Sequence, residues 1–217
     1  EMLRSLVGSE MCIRDRDSVS KSMPSDTSAF AIVDKVVSSV KEDGMETQRL
    51  YALSNGKYIE LDAYDTETLL VPSGTEQRHL KRGDGIRYET NANGEISGIE
   101  LEYDITKPYT AQNYSSEFSR VWAFSGVVYS KDSNNLVTVK GADKDFAEID
   151  KKYLDPNNRI AMLAGGNVYI YDQEADRVTR GTTDDIFDRK VCGDDASRIY
   201  ARFNYESCKD IVIYKMK

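Results

Sequence analysis

Short runs in which apolar and polar residues alternate recur along most of the chain, with turn residues between them. Residues 85–90 place Ile86 and Tyr88 on one side and charged residues on the other, and residues 99–103 repeat the alternation. Alternation of this kind is typical of a β-strand that buries one face. No longer stretch carries apolar residues at the i, i+3, i+4, i+7 spacing of a helix. The pattern therefore predicts an all-β chain with little helix.

Tight-turn signals separate these runs and predict how the strands connect. Asp43–Gly44, Asn55–Gly56 and Asn93–Gly94 each lie between apolar segments, and such pairs are strong short-range signals for a β-hairpin. A further hairpin is predicted at the end of the chain, around residues 204–207. Residues 66–76, which include a proline, show no period and are predicted to form a loop.

A polar stretch at residues 105–118 interrupts the strand pattern and divides the chain. We expect it to be an inter-domain linker, with a first small β-barrel at residues 30–104 and a second at residues 119–217. Residues 17–29 are polar and are expected to form an entry linker. Each predicted barrel has the size of an OB or SH3 barrel, which gives room for one modest core. The predicted fold class is thus all-β, with two tandem small β-barrels and hairpin connections.

The two halves also resemble each other in sequence. Residues 80–88 (LKRGDGIRY) match residues 163–171 (LAGGNVYIY), and residues 59–62 match residues 147–150. These matches indicate a tandem repeat. General β-strand patterning is the alternative explanation.

The first 16 residues differ in origin from the rest of the chain, according to their sequence. Residues 6–16 read LVGSEMCIRDR, which resembles the translation of a sequencing adapter. We therefore interpret residues 1–16 as an artefact fused to a metagenomic reading frame, and exclude them from reasoning about the fold. We expect the remainder to be a fragment of a longer chain whose upstream domains were lost before Asp17.

Composition and charge narrow the function classes. The net charge of −8 disfavours nucleic acid as a partner, because nucleic-acid affinity depends largely on neutralised phosphates. No apolar run is long enough to predict a membrane span. His79 is the single histidine, which excludes a site with several histidine ligands. No cofactor motif occurs, so no cofactor is predicted.

The sequence gives little support for catalytic or metal-binding residues. The acid pairs Asp184–Asp185 and Asp194–Asp195 lie next to each other in sequence, whereas a glycosidase needs two carboxylates facing each other across a cleft. Solvated turn acids are the interpretation we favour, and calcium at the acidic turns is an alternative. We predict no catalytic, cofactor-binding or metal-binding residue. Cys192 and Cys208 fit no zinc or redox motif and are either unrelated thiols or a disulfide.

Tyrosines are frequent, with 14 in the chain. Tyr169 and Tyr171 share one strand face, and Tyr200 and Tyr214 lie on the terminal hairpin. Such rings stabilise a sheet by cross-strand packing, or they form an exposed ligand surface that stacks on glycan rings. Both interpretations stay open from the sequence. These four tyrosines are the candidate ligand surface.

The chain resembles a β-rich module of cell-surface proteins from anaerobic Firmicutes, which often carry S-layer homology domains elsewhere. The segments IVDKVVSSVKEDGMETQRLYAL, LKRGDGIRYETNANGEISGIELEYD and SRIYARFNYESCKDIVIYK carry the resemblance, which covers most of residues 30–215. It implies an extracellular, cell-wall-associated setting, and it supplies no catalytic residues.

Three functional hypotheses follow. The first is a non-enzymatic structural or interaction module, with a cell-wall polymer or other surface proteins as partners. The second is a glycan- or cell-wall-binding module that uses exposed tyrosines. The third, a nucleic-acid-binding small barrel, is disfavoured by the acidic charge.

Overall fold

The computed structural model describes residues 28–107, 114–115, 121–140 and 159–216. Most of these residues lie in β-strands, which confirms the all-β prediction. The strands form two large sheets and one two-stranded ribbon.

The first sheet contains five antiparallel strands, in the order β3-β2-β1-β6-β7. Strands β4 and β5 form the separate ribbon. The strands of this half are β1 Ala29–Val40, β2 Glu46–Ser54, β3 Lys57–Asp62, β4 Leu70–Ser73, β5 Glu76–His79, β6 Gly85–Thr90 and β7 Ile96–Tyr103.

The second sheet follows the path β11-β10-β9-β14-β15-β12-β13, and β8 pairs with β9 beside that path. Its strands are β8 Tyr114–Ser115, β9 Val121–Lys131, β10 Leu136–Lys140, β11 Arg159–Met162, β12 Asn167–Asp172, β13 Arg177–Gly181, β14 Arg198–Asn204 and β15 Ser207–Lys215. Strands β12 and β15 run parallel, and the other pairs are antiparallel.

Helical structure is short in the part of the chain that the structure describes. There it consists of α1 Arg189–Cys192 and of 3-10 turns at Thr183–Asp185 and Gly193–Asp195. Within the described ranges, no helix is long and apolar enough to cross a membrane.

The predicted tight turns connect the predicted strands. Gly44, Gly56 and Gly94 have positive φ angles of 83°, 70° and 80° and join β1 to β2, β2 to β3, and β6 to β7. The terminal hairpin is also confirmed, because β14 pairs with β15 around residues 205–206.

One predicted loop is wrong. Within residues 66–76, β4 pairs with β5, and Pro72 lies opposite Gln77 in that ribbon. A proline is tolerated there because a two-stranded ribbon leaves one side of each strand without a ladder partner. Val71 is buried in the core of the first half, which explains why this segment is ordered without a clear alternating pattern.

The two closed barrels predicted from the sequence are not seen. Among the described residues, neither large sheet closes into a barrel through a continuous hydrogen-bonded ladder. In the first half, one isolated parallel bridge joins Ala63, just after β3, to Ile96 at the start of β7. The Tyr64 amide donates a 2.8 Å hydrogen bond to the Ile96 carbonyl at this bridge.

The match between residues 80–88 and residues 163–171 falls on strands in different positions. Strand β6, from the match 80–88, pairs with β1, whereas β12, from the match 163–171, pairs with β15 and β13. The other match, to residues 147–150, lies outside the described residues. The similarity of residues 80–88 and 163–171 therefore reflects a shared turn-and-strand pattern in places that are not equivalent.

The buried apolar residues among those described form three clusters, and each half contains one of its own. The first half packs residues such as Leu50, Leu69 and Ile86 between its sheet and the β4–β5 ribbon. The second half packs residues such as Phe124, Val137 and Ile211 inside its curved sheet. The third cluster draws residues from both halves.

The middle of the second sheet is buried on both faces. On β12, Val168 and Ile170 face the core of the second half, whereas Tyr169 and Tyr171 belong to the shared cluster. Strand β15 divides in the same way, because Ile213 lies in the second core and Tyr214 in the shared cluster. Side chains alternate between the faces of a strand, so each of these strands contributes to two cores.

Candidate functional site

The first sheet and the second sheet meet at a buried contact, which we call the junction. Its apolar part is the shared cluster: Phe30, Ile32, Leu53, Tyr103, Ile105, Ala123, Tyr169, Tyr171, Val178, Tyr200, Val212 and Tyr214. The rings of Tyr103 and Tyr214 stack with centroids 4.2 Å apart, and those of Phe30 and Tyr200 stack at 5.8 Å. Stacked aromatic pairs of this kind stabilise a contact beyond the apolar area that they bury.

All four tyrosines predicted as a ligand surface lie in this junction. The exposed fractions of Tyr169, Tyr171, Tyr200 and Tyr214 are 0%, 7%, 0% and 3%. The structure thus brings the four residues together, but in the interior rather than on an exposed surface. Of the two interpretations of these rings, packing is the one that the burial supports, and the packing is between sheets as well as between strands.

A buried carboxylate, Glu102 of β7, lies at one end of the junction. The Tyr200 hydroxyl donates a 2.7 Å hydrogen bond to Glu102 Oε2, and Arg87 Nε lies 2.7 Å from Oε1. Arg202 Nε of the second sheet lies 3.5 Å from Oε2. Burial raises the pKa of Glu102, whereas Arg202, Tyr200 and Arg87 lower it in part. A carboxylate from one half is therefore surrounded by donors from both halves.

A second buried carboxylate, Asp210 of β15, continues this polar cluster. Arg202 Nη1 lies 3.8 Å from Asp210 Oδ2, so Arg202 is shared between the two acids. Asn167 and the Tyr169 hydroxyl donate to Asp210 Oδ1 at 3.2 Å and 3.3 Å. Burial raises the pKa of Asp210, and the hydrogen bond from Asn167 and the charge of Arg202 oppose that shift. The polar contacts thus run without a gap from Arg87 to Tyr169.

The β2–β3 turn of the first sheet docks on the far end of this polar cluster. The Gly56 amide donates a 2.9 Å hydrogen bond to the Tyr169 hydroxyl, and its carbonyl accepts a 3.0 Å hydrogen bond from Arg180 Nη1. Next to it, the Tyr58 hydroxyl donates to the Val178 carbonyl at 2.9 Å. A β-carbon at Gly56 would lie 3.1 Å from Asn167 Oδ1. Glycine is needed here both for its positive φ and for this close approach.

The loop before β6 forms a second docking point. The Tyr214 hydroxyl donates a 3.0 Å hydrogen bond to the Gly83 carbonyl, and a β-carbon at Gly83 would lie 3.1 Å from the Tyr171 ring. Arg82 binds Asp34 of its own half and donates a 2.6 Å hydrogen bond to the Asp176 carbonyl of the other half.

His79 lies in a basic cluster of the sequence, residues 78–82 (RHLKR), and the two arginines of this cluster form internal contacts. Besides Arg82, Arg78 forms ion pairs of 2.7 Å with both Asp84 and Asp104. Asp84 is fully buried and also accepts hydrogen bonds from the amides of Lys81 and Ile105. Both arginines of the cluster therefore hold the loop in place.

The chemistry of the junction is that of a contact between sheets. A buried acid with a raised pKa is a candidate general acid or base where a cleft admits a substrate. The side chains of Glu102 and Asp210 are only 0% and 5% exposed, so a dissolved molecule cannot contact them while the halves are docked. Among the described residues, no group of three or more histidine, cysteine or acidic side chains is placed to hold a metal ion.

The remaining candidate groups have local roles. Asp185 accepts a 2.8 Å hydrogen bond from the Thr182 amide and caps its own 3-10 turn, and Asp132 accepts from two amides of the β9–β10 turn. Cys192 and Cys208 are free thiols. Burial raises the pKa of the Cys208 thiol to about 12.

Sequence reasoning missed the charged residues of the junction. Glu102 alternates with apolar residues along β7, which predicts that it lies on the face opposite the core, yet it is buried together with its neighbour Tyr103. The available signal is in the terminal hairpin, where Arg202 and Asp210 lie next to the apolar runs of two strands. Opposite charges inside apolar strands of one hairpin indicate a buried pair.

Comparison with known proteins gives no relative for this arrangement: no family model, no curated protein and no solved structure matches the chain.

Proposed function

We propose that this chain is a non-enzymatic structural or interaction module of a secreted or cell-surface bacterial protein. One observation carries the proposal: the aromatic, acidic and basic side chains that are candidates for chemistry are used to fix one sheet against the other. Such an arrangement suits a rigid spacer or platform in a longer chain. It leaves Glu102 and Asp210, the acids with raised pKa values, out of reach of a substrate.

The cell-surface setting depends on the sequence resemblance to modules of Firmicutes surface proteins. Under this proposal, the partners are a cell-wall polymer or other surface proteins, and they bind outside the junction. The acidic net charge of −8 is consistent with a partner other than nucleic acid. The binding of glycans by the four junction tyrosines is not proposed, because their rings are buried.

We further propose that each half is a small, partly open barrel. In the first half, β1 pairs with β2 and β6, and the bridge between Ala63 and Ile96 joins the outer strands. In the second half, β9 pairs with β10 and β14, and β12 lies parallel to β15. The recurrence of one connectivity supports two tandem units, and an experimental structure in which the outer strands lie apart would contradict it.

A turnover assay tests the absence of enzyme activity. The protein is incubated with cell-wall polysaccharide and peptidoglycan, beside a variant in which Asp184, Asp185, Asp194 and Asp195 are replaced by asparagine. We expect no product from either protein. Product formation by the wild type that is lost in the variant would overturn the proposal.

A second experiment tests the setting. Sequence reads upstream of the codon for Asp17 are reassembled after removal of adapter sequence. We expect a signal peptide and S-layer homology repeats in frame. A cytoplasmic or catalytic domain in frame would contradict the assignment to the cell surface.

A further inference from the structure

Two Asn-Gly pairs occur in the chain, at Asn55–Gly56 and Asn93–Gly94. In such a pair, the glycine amide nitrogen can attack the asparagine side-chain amide, because glycine has no β-carbon to obstruct the approach. The product is a modified turn that carries a new negative charge. Both pairs occupy tight turns with an exposed asparagine. They differ in the residues to which the glycine is hydrogen-bonded.

The Gly94 amide at the Asn93 turn is bonded within its own hairpin loop, and the loop is tied to β1 through the 2.6 Å ion pair of Glu95 with Lys41. The Gly94 amide donates to the Asn91 carbonyl at 3.0 Å, and the Asn91 side chain accepts from the amides of Asn93 and Glu95. Nothing lies within 4 Å of the position that a Gly94 β-carbon would take. A local opening of this exposed loop therefore frees the Gly94 nitrogen, and such openings need far less free energy than global unfolding.

The turn at Asn55 is held by the other half of the molecule. The Gly56 amide donates to Tyr169, its carbonyl accepts from Arg180, and a β-carbon at Gly56 would lie 3.1 Å from Asn167 Oδ1. Tyr169 is fully buried. Release of the Gly56 nitrogen thus requires the turn to leave the junction.

We propose that Asn93 is a deamidation site in the folded protein, and that Asn55 is a second deamidation site which is protected as long as the β2–β3 turn is docked in the junction. Conversion of Asn55 then marks separation of the two halves. This inference stands apart from the proposed structural role, because it concerns the contacts of two turns and not what the module binds.

The reaction balances with water as the only co-reactant. The glycine nitrogen forms a bond to the asparagine Cγ, the bond from Cγ to Nδ2 breaks, and ammonia leaves with the proton of the glycine amide. Water then opens the resulting cyclic imide at either carbonyl and gives aspartate or isoaspartate. Isoaspartate adds one carbon to the main chain, so a turn modified at Asn55 no longer presents the Gly56 amide to Tyr169.

The test is a time course on the full folded chain in mildly alkaline buffer, with mass spectrometry of the peptides that contain positions 55 and 93. We expect conversion at Asn93 to outpace conversion at Asn55, and we expect the difference to disappear in concentrated urea. Equal rates in the folded wild type would overturn the proposal.

The exposed Arg180 provides a variant that leaves the core intact. Arg180→Ala removes the hydrogen bond to the Gly56 carbonyl, and we expect conversion at Asn55 to rise roughly fivefold, the factor that one ordinary hydrogen bond contributes. The rate at Asn93 should not change. Arg177→Ala, on the same strand, is the matched control and should change neither rate.

Tyr169→Phe removes the hydroxyl that accepts the hydrogen bond from the Gly56 amide. We expect this variant to accelerate deamidation at Asn55 and not at Asn93. An unchanged rate at Asn55 in Arg180→Ala and Tyr169→Phe would contradict protection by docking. A parallel rise at both asparagines would show general unfolding and would also count against it.

Discussion

At the scale of single residues, Glu102 is the charge on which the junction depends most. Its side chain is fully buried between Arg87 and Arg202. Glu102→Gln removes the carboxylate that Arg87 and Arg202 share, so that Arg87 keeps only its pair with the more exposed Glu100, and Arg202 keeps only its 3.8 Å contact with Asp210, among the ion pairs described. Breaking a buried ion pair costs about 3–5 kcal/mol. We expect a loss of that order in the free energy of unfolding, measured by urea denaturation.

Glu60 provides the control for this prediction. It pairs with Arg49 at 2.9 Å, but its side chain is 51% exposed. Exposed ion pairs contribute about 0–1 kcal/mol, so Glu60→Gln should change the stability little. Similar losses in the two variants would show that Glu102 is not the buried centre described above.

The two glycines of the Asn-Gly turns form a matched pair for a second prediction. Gly56→Ala and Gly94→Ala both place a side chain at positive φ, which costs about 1–2 kcal/mol. Only the new β-carbon at Gly56 also meets Asn167, at 3.1 Å.

We therefore expect Gly56→Ala to be the more destabilising of the two in thermal denaturation. Equal losses would mean that the β2–β3 turn is not docked on the second sheet.

The four junction tyrosines show how far single residues can be interpreted from the sequence. Alternation placed Tyr169 and Tyr171 on one face of a strand, and the structure has them on one face. Alternation does not predict what lies against that face, because contacts such as the hydrogen bond from Tyr200 to Glu102 join residues that are 98 positions apart in the sequence. Periodicity describes one strand at a time, whereas burial depends on the sheet opposite.

At the scale of elements, the β2–β3 hairpin is closed by an ion pair whose pH dependence has a definite sign. Arg49 Nε and Nη2 donate to the two carboxylate oxygens of Asp62 at 2.6 Å and 2.9 Å. The hydrogen bonds from Arg49 lower the pKa of Asp62 below its ordinary value of 3.8. Because the unfolded chain takes up this proton first, the stabilisation is present above that value and is lost as the pH falls through the lowered pKa.

We expect the stability difference between the wild type and Asp62→Asn to be largest above pH 3.8 and to shrink on further acidification. Urea denaturation at a series of pH values measures it. A difference that grows as the pH falls would reverse the assigned sign.

Elements with a local signal were predicted well, and elements that depend on distant contacts were not. The hairpins at Gly44, Gly56 and Gly94 follow from turn chemistry alone. The β4–β5 ribbon also turns at a glycine with positive φ, Gly74, but the residues around that turn show no alternation. Arg78 and Val71 hold the ribbon through contacts with Asp84, Asp104 and the core of the first half. The parallel pairing of β12 with β15 likewise joins segments that no turn connects.

At the scale of the whole molecule, the shared cluster makes the two halves depend on each other. Phe30 and Tyr103 of the first half lose their stacking partners if the second half unfolds, and Tyr200 and Tyr214 lose theirs if the first half unfolds. Small units gain little stability from their own cores. Loss of either half would thus expose apolar surface and break the buried contact between Glu102 and Arg202, which favours cooperative unfolding.

Cys208 provides a probe for this cooperativity. Its thiol is buried in the core of the second half, and its pKa is raised to about 12. The thiolate is the nucleophile that attacks an alkylating reagent, so Cys208 should react only in unfolded molecules, while the partly exposed Cys192 reacts in the folded state. Mass spectrometry distinguishes the two sites.

We expect the urea midpoint for alkylation of Cys208 to coincide with the midpoint for hydrogen exchange of the β1 amides in the first half. Coincident transitions in two probes are the mark of a single cooperative unit. In Glu102→Gln, both midpoints should move together to lower urea. If instead the second half becomes reactive while β1 stays protected, the halves fold independently and the junction is a contact between separately stable domains.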